Sequence, residues 1–116
     1  MGFIDLQNSP ELNLAEGIRA RVITTACITV AHVELSAGAV LPEHSHFHEQ
    51  VVNVTRGELE LTVAGQKHVL TPGRAMILEP NITHSGLALT DVQVIDVFHP
   101  VREDFRGAKF DGYIQQ

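Results

Sequence analysis

The sequence predicts an all-β domain that closes into a barrel or sandwich. Many short segments are rich in β-branched and aliphatic residues, and glycine or proline turn signals separate them at close intervals. The 116 residues suffice for one domain with its own core and are too few for two. We therefore predict a single domain over residues 1–116. It divides into an N-terminal arm (1–17), the barrel (18–99), and a short helix and tail (100–116).

The predicted strands follow the distribution of β-branched residues. Ile18–Cys27 and Ile28–Leu35 are rich in valine, isoleucine and threonine, which favour extended backbone. Glu58–Val63 alternates apolar and polar residues, as a half-buried strand does. After Pro100, residues Val101–Gly107 predict one short C-terminal helix. The other predicted strands are Gln50–Thr55, Lys67–Leu70, Ala75–Leu78, Ser85–Leu89 and Val92–Phe98.

The composition argues against several classes of protein. The net charge of −6 and the scattered lysine and arginine residues argue against nucleic-acid binding, which needs a basic surface. No apolar stretch approaches the ~18 residues of a membrane span, and the N-terminus lacks the pattern of a signal peptide. The single cysteine, Cys27, allows no intramolecular disulfide, and we predict a buried, inert thiol. A cytoplasmic protein is therefore expected.

The heptapeptide HSHFHEQ, residues 44–50, is the clearest functional signal. On one regular strand His44, His46, His48 and Gln50 would all point to the same face, because side chains alternate along a strand. Imidazole suits transition metals better than calcium or magnesium, so the cluster predicts a transition-metal site. The other interpretation is a polar barrel mouth without a metal. His48 could ligate by its position, but we place it at the rim or behind the ligands.

The last predicted strand carries the second candidate region. Val92, Val94, Asp96 and Phe98 share one face, so Asp96 is either buried or directed into a cavity. Asp96 then either hydrogen-bonds a neighbouring turn or transfers protons as a general acid and base. Phe98 either packs in the core or forms an apolar wall that positions a ligand.

Two stretches resemble the motifs of the cupin family. The first motif corresponds to Gly38-x5-His44-x-His46-x3-Gln50-x6-Gly57, with glutamine where glutamate is usual. The second corresponds to Gly73-x5-Glu79-x-Asn81-x2-His84. Here Glu79 replaces the usual proline and Asn81 the usual glycine. The second exchange is mild, because asparagine tolerates a left-handed backbone better than most residues.

The resemblance implies a cupin fold, a double-stranded β-helix that closes into a jelly-roll barrel. It also implies one divalent transition metal, such as Zn, Ni, Mn or Fe. The implied metal ligands are His44, His46, Gln50 and His84. Small cupins often pair through sheet edges, which need covering, so a homodimer is expected as well.

The segment IDVFHPVREDF, residues 95–105, is similar to the last strand and following helix of the pectin-degradation (KdgF-type) cupins. These enzymes convert unsaturated uronates to open-chain keto forms. The resemblance implies that Asp96, Phe98 and Arg102 are active-site residues. On its sequence alone, Arg102 could equally be a solvated helix charge. With the resemblance, it is expected to clamp a substrate carboxylate, to which guanidinium geometry is suited.

The neutral Gln50 suggests what the site attracts. Three neutral imidazoles and an amide would leave about two positive charges of a bound metal uncompensated. The cavity would therefore favour a small anionic carbohydrate, and we expect linearisation of a 4,5-unsaturated uronate to a 5-keto-4-deoxyuronate. Dioxygen activation at a facial triad uses a carboxylate ligand, which this set lacks. The alternatives are another metal-dependent cupin enzyme, such as an oxygenase or sugar isomerase, and a non-catalytic cupin that binds a small acid.

Overall fold

The computed structural model describes residues 2–108, and strands dominate this part of the chain. The all-β prediction is confirmed. The strands are β1 Leu12–Ala15, β2 Ile18–Thr24, β3 Thr29–Leu35, β4 Val40–His44, β5 Glu49–Arg56, β6 Leu59–Val63, β7 Gln66–Leu70, β8 Ala75–Leu78, β9 His84–Ala88 and β10 Val92–His99.

Two antiparallel sheets form the barrel. One has six strands in the order β1-β2-β3-β10-β5-β8, and the other has four in the order β4-β9-β6-β7. Chain neighbours such as β4 and β5 lie in different sheets, so the chain crosses repeatedly between the two layers, as in a jelly roll.

The core lies between the sheets and follows the alternation of each strand. On β3, Ala31, Val33 and Leu35 are buried, and on β6 Leu59 and Leu61 are buried. Successive strand residues point to opposite faces, so these side chains meet across the two layers. The burial of aliphatic side chains from both sheets gives the barrel a core that does not depend on a metal.

Two edge strands were not predicted. β4 contains Pro42, which removes a ladder donor and is tolerated mainly at sheet edges; β4 lies at such an edge. β1 lies within the predicted arm and pairs with β2 at the edge of the six-stranded sheet. β1 is only four residues long, so the alternation of its two buried leucines, Leu12 and Leu14, is too short to predict a strand.

Three further details differ from the predictions. β2 ends at Thr24, and Cys27 is exposed in the turn before β3, so the prediction of a buried thiol was wrong. The predicted C-terminal helix is a 3-10 turn, Glu103–Ala108, rather than an α-helix. The predicted tail lies largely outside the described residues. Within residues 2–108, no helix is long and apolar enough to cross a membrane.

Candidate metal centre

Three histidines converge at one end of the barrel. His44 ends β4 and His84 begins β9, and the two residues are cross-strand partners. His46 lies in the loop that leads to β5. The ring centroids of His44 and His84 are 4.2 Å apart, and those of His46 and His84 are 5.0 Å apart. One ligand nitrogen from each ring lies within 4.8 Å of the others, so the three histidines could hold a metal.

Backbone carbonyls fix the orientation of all three rings. Nδ1 of His44 lies 2.7 Å from the Pro42 carbonyl oxygen, and Nδ1 of His84 lies 2.9 Å from that of Ile82. Nδ1 of His46 lies 3.2 Å from the carbonyl oxygen of His48. A carbonyl only accepts, so each Nδ1 carries the proton and each Nε2 keeps its lone pair. Metal-binding histidines are held in this way in many proteins.

The loop that carries His46 is itself tethered. The backbone N–H of Asn81 donates to the His46 carbonyl oxygen over 2.7 Å. Asn81 has a positive φ of 67°, as expected from its place in the second motif, where glycine is usual. The two motifs therefore meet directly at the metal-ligand loop.

The environment keeps these histidines neutral. Burial lowers the pKa of His44 to about 4, with the neighbouring His84 and Arg102 adding to the effect against the Pro42 hydrogen bond. Burial also lowers the pKa of His46 to about 4, followed by the charge of Arg102. The pKa of His84 is lowered chiefly by burial. Metal binding requires unprotonated imidazole, so the rings are ready to ligate at neutral pH.

Gln50 fits the site as a fourth ligand. Its side chain is buried on β5, and its Oε1 lies 3.1 Å from Nε2 of His46. The Gln50 side chain also hydrogen-bonds Asp96, with the amide nitrogen as donor. An amide can therefore direct its oxygen to the histidines and its N–H to the carboxylate. A glutamate here would place a second carboxylate against Asp96, which gives a local reason for the neutral residue.

Asp96 faces the barrel interior from β10. Desolvation raises its pKa to about 7, against the opposing effects of the Gln50 hydrogen bond and the Arg102 charge. Its Oδ1 is buried and accepts no hydrogen bond from the described residues. A carboxyl group whose pKa lies near neutrality can both accept and donate a proton under ordinary conditions.

Arg102 is buried and its position is well defined. It donates two hydrogen bonds to Asp104, of 2.9 Å from Nε and 2.7 Å from Nη2. Its guanidinium carbon lies 4.0 Å from the ring centroid of Phe105 and 4.8 Å from that of Phe98. The backbone N–H of Arg102 also donates to the buried hydroxyl of Thr29. Arg102 is therefore not a solvated helix charge.

The sequence did not point to Asp104 or Phe105. Phe105 is 1% exposed and packs edge-on against Phe98, at 5.7 Å between centroids. Asp104 and Phe105 belong to the REDF tetrapeptide, where the alternation of a strand is lost. The only signal in the sequence that could have identified them was their position two and three residues after Arg102.

His48 lies apart from the group of three. Residues 45–48 form a loop between β4 and β5, so the condition of one regular strand, on which a shared face for the three histidines and Gln50 depended, is not met. The His48 ring stacks on Phe47 at 4.1 Å between centroids and lies 5.4 Å from His46. His48 is buried, while Phe47 is 62% exposed. His48 therefore supports the loop through its backbone carbonyl and packs behind His46.

Two spaces meet at the histidines. A pocket of about 340 Å³ opens at the barrel mouth, where His44, His46 and Arg102 contribute to its lining. An interior cavity of about 40 Å³ lies beyond, and His44, Gln50 and Asp96 contribute to its lining. The mouth pocket is large enough for a monosaccharide, whereas the interior cavity holds at most a few waters. His44 borders both spaces.

The raised pKa of Asp96 predicts a pH-dependent loss of stability in metal-stripped protein. The folded state keeps the proton of Asp96 up to about pH 7, whereas the unfolded chain loses it near pH 3.8. The Asp96 carboxyl group therefore makes its full contribution to the free energy of unfolding below pH ~4. That contribution is lost as the pH rises through ~7. We expect Asp96→Asn to be ~2–4 kcal/mol more stable than wild type at pH 8 and nearly equal near pH 4.

Urea unfolding of both proteins across this pH range measures the difference. Comparison with wild type is needed because the lowered pKa values of His44 and His46 act in the opposite direction between pH ~4 and ~6.5. The histidines are common to both proteins, so their effect cancels. If the difference in the free energy of unfolding between the two proteins does not grow with pH, the Asp96 carboxylate is not buried.

The fold and this site define the class of protein. The family model of the Cupin domain matches residues 31–98, and the chain belongs to the cupin family. The chain is also similar to the pectin degradation protein KdgF of Dickeya dadantii (strain 3937). The two are 33% identical over 106 residues, which cover 89% of this chain and 96% of that protein.

Solved structures agree with this result. The structure of KdgF from Halomonas sp. has a TM-score of 0.83 and 30% identity, covering 90% of this chain and 97% of that one. An RmlC-like cupin from Shewanella frigidimarina NCIMB 400 has a TM-score of 0.84 and 27% identity, covering 90% and 96%. The cupin barrel expected from the two motifs is thus confirmed.

Proposed function

We propose that this chain is a metal-dependent enzyme that opens the ring of a 4,5-unsaturated uronate to give a 5-keto-4-deoxyuronate. The observation that carries the proposal is the position of Asp96. Its carboxyl group, with a pKa raised to about 7, is hydrogen-bonded to Gln50, whose oxygen lies beside His46. A proton-transfer group therefore adjoins a set of neutral metal ligands. The similarity to proteins named for pectin degradation supports a uronate as the substrate class.

The residues present fit a divalent transition metal. His44, His46 and His84 would hold it through Nε2, and Gln50 through Oε1, because these atoms converge while each histidine Nδ1 is held by the backbone. When bound, such a metal acts as a Lewis acid toward the substrate's oxygen atoms. The donor set suits several transition metals, since imidazole binds Zn, Cu, Fe and Ni.

The uronate occupies the mouth pocket, with its reacting face toward the interior cavity. Because the ligands are neutral, a bound metal would keep its positive charge, which would attract the substrate carboxylate. The guanidinium of Arg102, fixed between two phenylalanine rings and Asp104, adds positive charge at the same pocket. Phe98 lines the interior cavity and provides an apolar wall on that side of the ligands, with its ring edge-on to His46 at 5.8 Å between centroids.

Asp96 moves the proton. As a carboxylate it accepts the proton of the C1 hydroxyl, directly or through one water in the interior cavity. The C1 oxygen then forms the aldehyde, and the C1–O5 bond breaks with its electrons passing to O5. An enolate results across O5, C5 and C4. Return of the same proton from Asp96 to C4 gives the C5 ketone, so the reaction is an isomerisation that consumes no other reactant.

The direct test is an assay with a monomeric 4,5-unsaturated galacturonate that has a free carboxylate and a free C1 hydroxyl. We expect the near-ultraviolet absorbance of the C4=C5 enol ether to disappear at a rate proportional to enzyme concentration. Chelation should stop the loss, and added transition metal should restore it. Consumption of oxygen with Fe(II) would instead indicate an oxygenase. Tight uronate binding without any turnover would indicate a binding protein, and either result would overturn the proposal.

Gln50→Glu tests why this ligand position is neutral. The added carboxylate should hold the metal at least as firmly, because a charged oxygen is a stronger ligand than an amide. It should also lower the positive potential of the site and repel Asp96, so KM for the uronate should rise. Metal analysis and steady-state kinetics measure the two effects separately. An unchanged KM would contradict the electrostatic explanation for Gln50.

A further inference from the structure

Phe47 lies between His46 and His48 at the barrel mouth and leaves most of its ring in water. Its exposed fraction is 62%, although His46 is half-buried and His48 is buried. The side chain contributes to the lining of the mouth pocket of about 340 Å³, together with His44, His46 and Arg102. An apolar ring therefore borders the space in which the proposed substrate lies.

One face of the Phe47 ring is fixed. It stacks on the ring of the buried His48 at 4.1 Å between centroids, with an angle of 28° between the two planes. The backbone on both sides is also tied. The His46 carbonyl oxygen accepts from the Asn81 N–H over 2.7 Å, and the His48 carbonyl oxygen accepts from Nδ1 of His46 over 3.2 Å. Phe47 therefore presents its opposite face in a defined orientation.

Exposure alone does not give this side chain a function, because single apolar residues are ordinary on a protein surface. Phe47 combines three features that such residues rarely share. It lines a pocket, it directly follows the predicted metal ligand His46, and a buried ring sets its orientation. The geometry is that of a flat contact surface beside the candidate metal centre.

A flat aromatic face suits the ring of a sugar acid. The face of an aromatic ring carries partial negative charge and its edge partial positive charge. The C–H groups of a sugar ring carry partial positive charge and form an apolar patch, so they pack well against such a face. The double bond of a 4,5-unsaturated uronate also flattens one side of the sugar ring, which increases the area that a planar partner can contact.

We propose that Phe47 is a sugar platform, a specificity-determining residue on whose open face the ring of the uronate stacks. The inference rests on the proposed function and adds a residue that touches the substrate without moving a proton. Arg102 borders the same pocket, so the ring and the carboxylate of one uronate can be contacted together. Because the product is open-chain and has no ring to stack, the platform favours the cyclic substrate over the product.

Titration calorimetry of the metal-loaded protein with two sugar acids tests the inference. D-galacturonate is cyclic and D-galactonate is open-chain, and neither has the C4=C5 bond that the reaction requires. Phe47→Ala should raise the dissociation constant for galacturonate ~5–10-fold, since aromatic stacking contributes on this scale. The constant for galactonate should change little. In turnover, KM for the unsaturated uronate should rise by a similar factor while kcat stays nearly constant.

Further variants separate ring stacking from general apolar contact. Phe47→Tyr keeps the ring and should retain the wild-type constants. Phe47→Leu keeps apolar character without a flat face and should resemble Phe47→Ala. Val69→Ala is the control, because Val69 is 42% exposed on β7 in the four-stranded sheet and should not affect uronate binding. Metal content should equal that of the wild type in all four variants.

The outcomes distinguish the platform from the proposed function. If the wild type turns over the uronate but Phe47→Ala keeps the wild-type KM and galacturonate affinity, only the platform is overturned. Loss of metal in Phe47→Ala would also overturn it, because the ring would then support the ligand loop. Equal weakening of both sugar acids, or wild-type binding in Phe47→Leu, would do the same. Without turnover in the wild type the proposed function fails, and the galacturonate affinities decide the platform on their own; a wild type that binds no galacturonate and turns over no uronate overturns both.

Discussion

Asp96→Asn is expected to reduce turnover of an unsaturated uronate by roughly 10²–10⁴-fold, the usual contribution of general acid–base catalysis. The amide keeps the shape of the side chain but neither accepts the C1 proton nor returns one to C4. Metal content should be unchanged, because Asp96 is not a predicted ligand. Steady-state kinetics and metal analysis on the same preparation give both quantities, and KM should change much less than kcat.

Asp91→Asn is the control for this substitution. Asp91 lies in the exposed turn just before β10, where its carboxylate accepts a hydrogen bond from the Ala37 N–H. An asparagine oxygen can accept the same bond, so this variant should keep full activity. Normal turnover in Asp96→Asn would refute the proton-transfer mechanism, although the fold and the histidine group would be unaffected. It would indicate that the Asp96–Gln50 hydrogen bond serves only to position Gln50.

Most strands could be predicted because their side chains alternate between core and solvent. β6 is the clearest example, with Leu59 and Leu61 buried as the pattern requires. Of the strands that were missed, β4 contains Pro42, which is tolerated at a sheet edge, and β1 has only four residues, two of which are buried.

The candidate site, too, could be predicted only in part from the sequence. The spacing within HSHFHEQ suggested which histidines could act together. That inference assumed side chains that alternate along one strand, whereas residues 45–48 form a loop. His84 is distant in sequence, and only the resemblance to the cupin motifs brought it to the site. The pairing of His44 with His84 across β4 and β9 gives the physical reason. The burial of Arg102 depends on Asp104 and Phe105, whose tertiary contacts leave no periodic signal in sequence.

His84→Ala is expected to lower metal affinity at least ~100-fold, since loss of a direct ligand should exceed the 10–100-fold effect of losing an outer hydrogen bond. His84 supplies one of the three convergent nitrogens, and its Nδ1 is already held by the Ile82 carbonyl. Uronate turnover should fall in parallel. The barrel should remain folded, because the core between the two sheets consists of apolar side chains and does not include His84. Elemental analysis after dialysis against a weak chelator measures the loss.

His48→Ala separates ligation from simple disturbance of the loop. His48 is as buried as the ligands and belongs to the same heptapeptide, but its ring packs on Phe47 outside the group of three. Its backbone carbonyl, which holds Nδ1 of His46, survives the substitution. This variant should therefore retain metal when His84→Ala has lost it. If both variants lose metal equally, His48 is a ligand in its own right; if both retain it, the three convergent histidines are not the metal site.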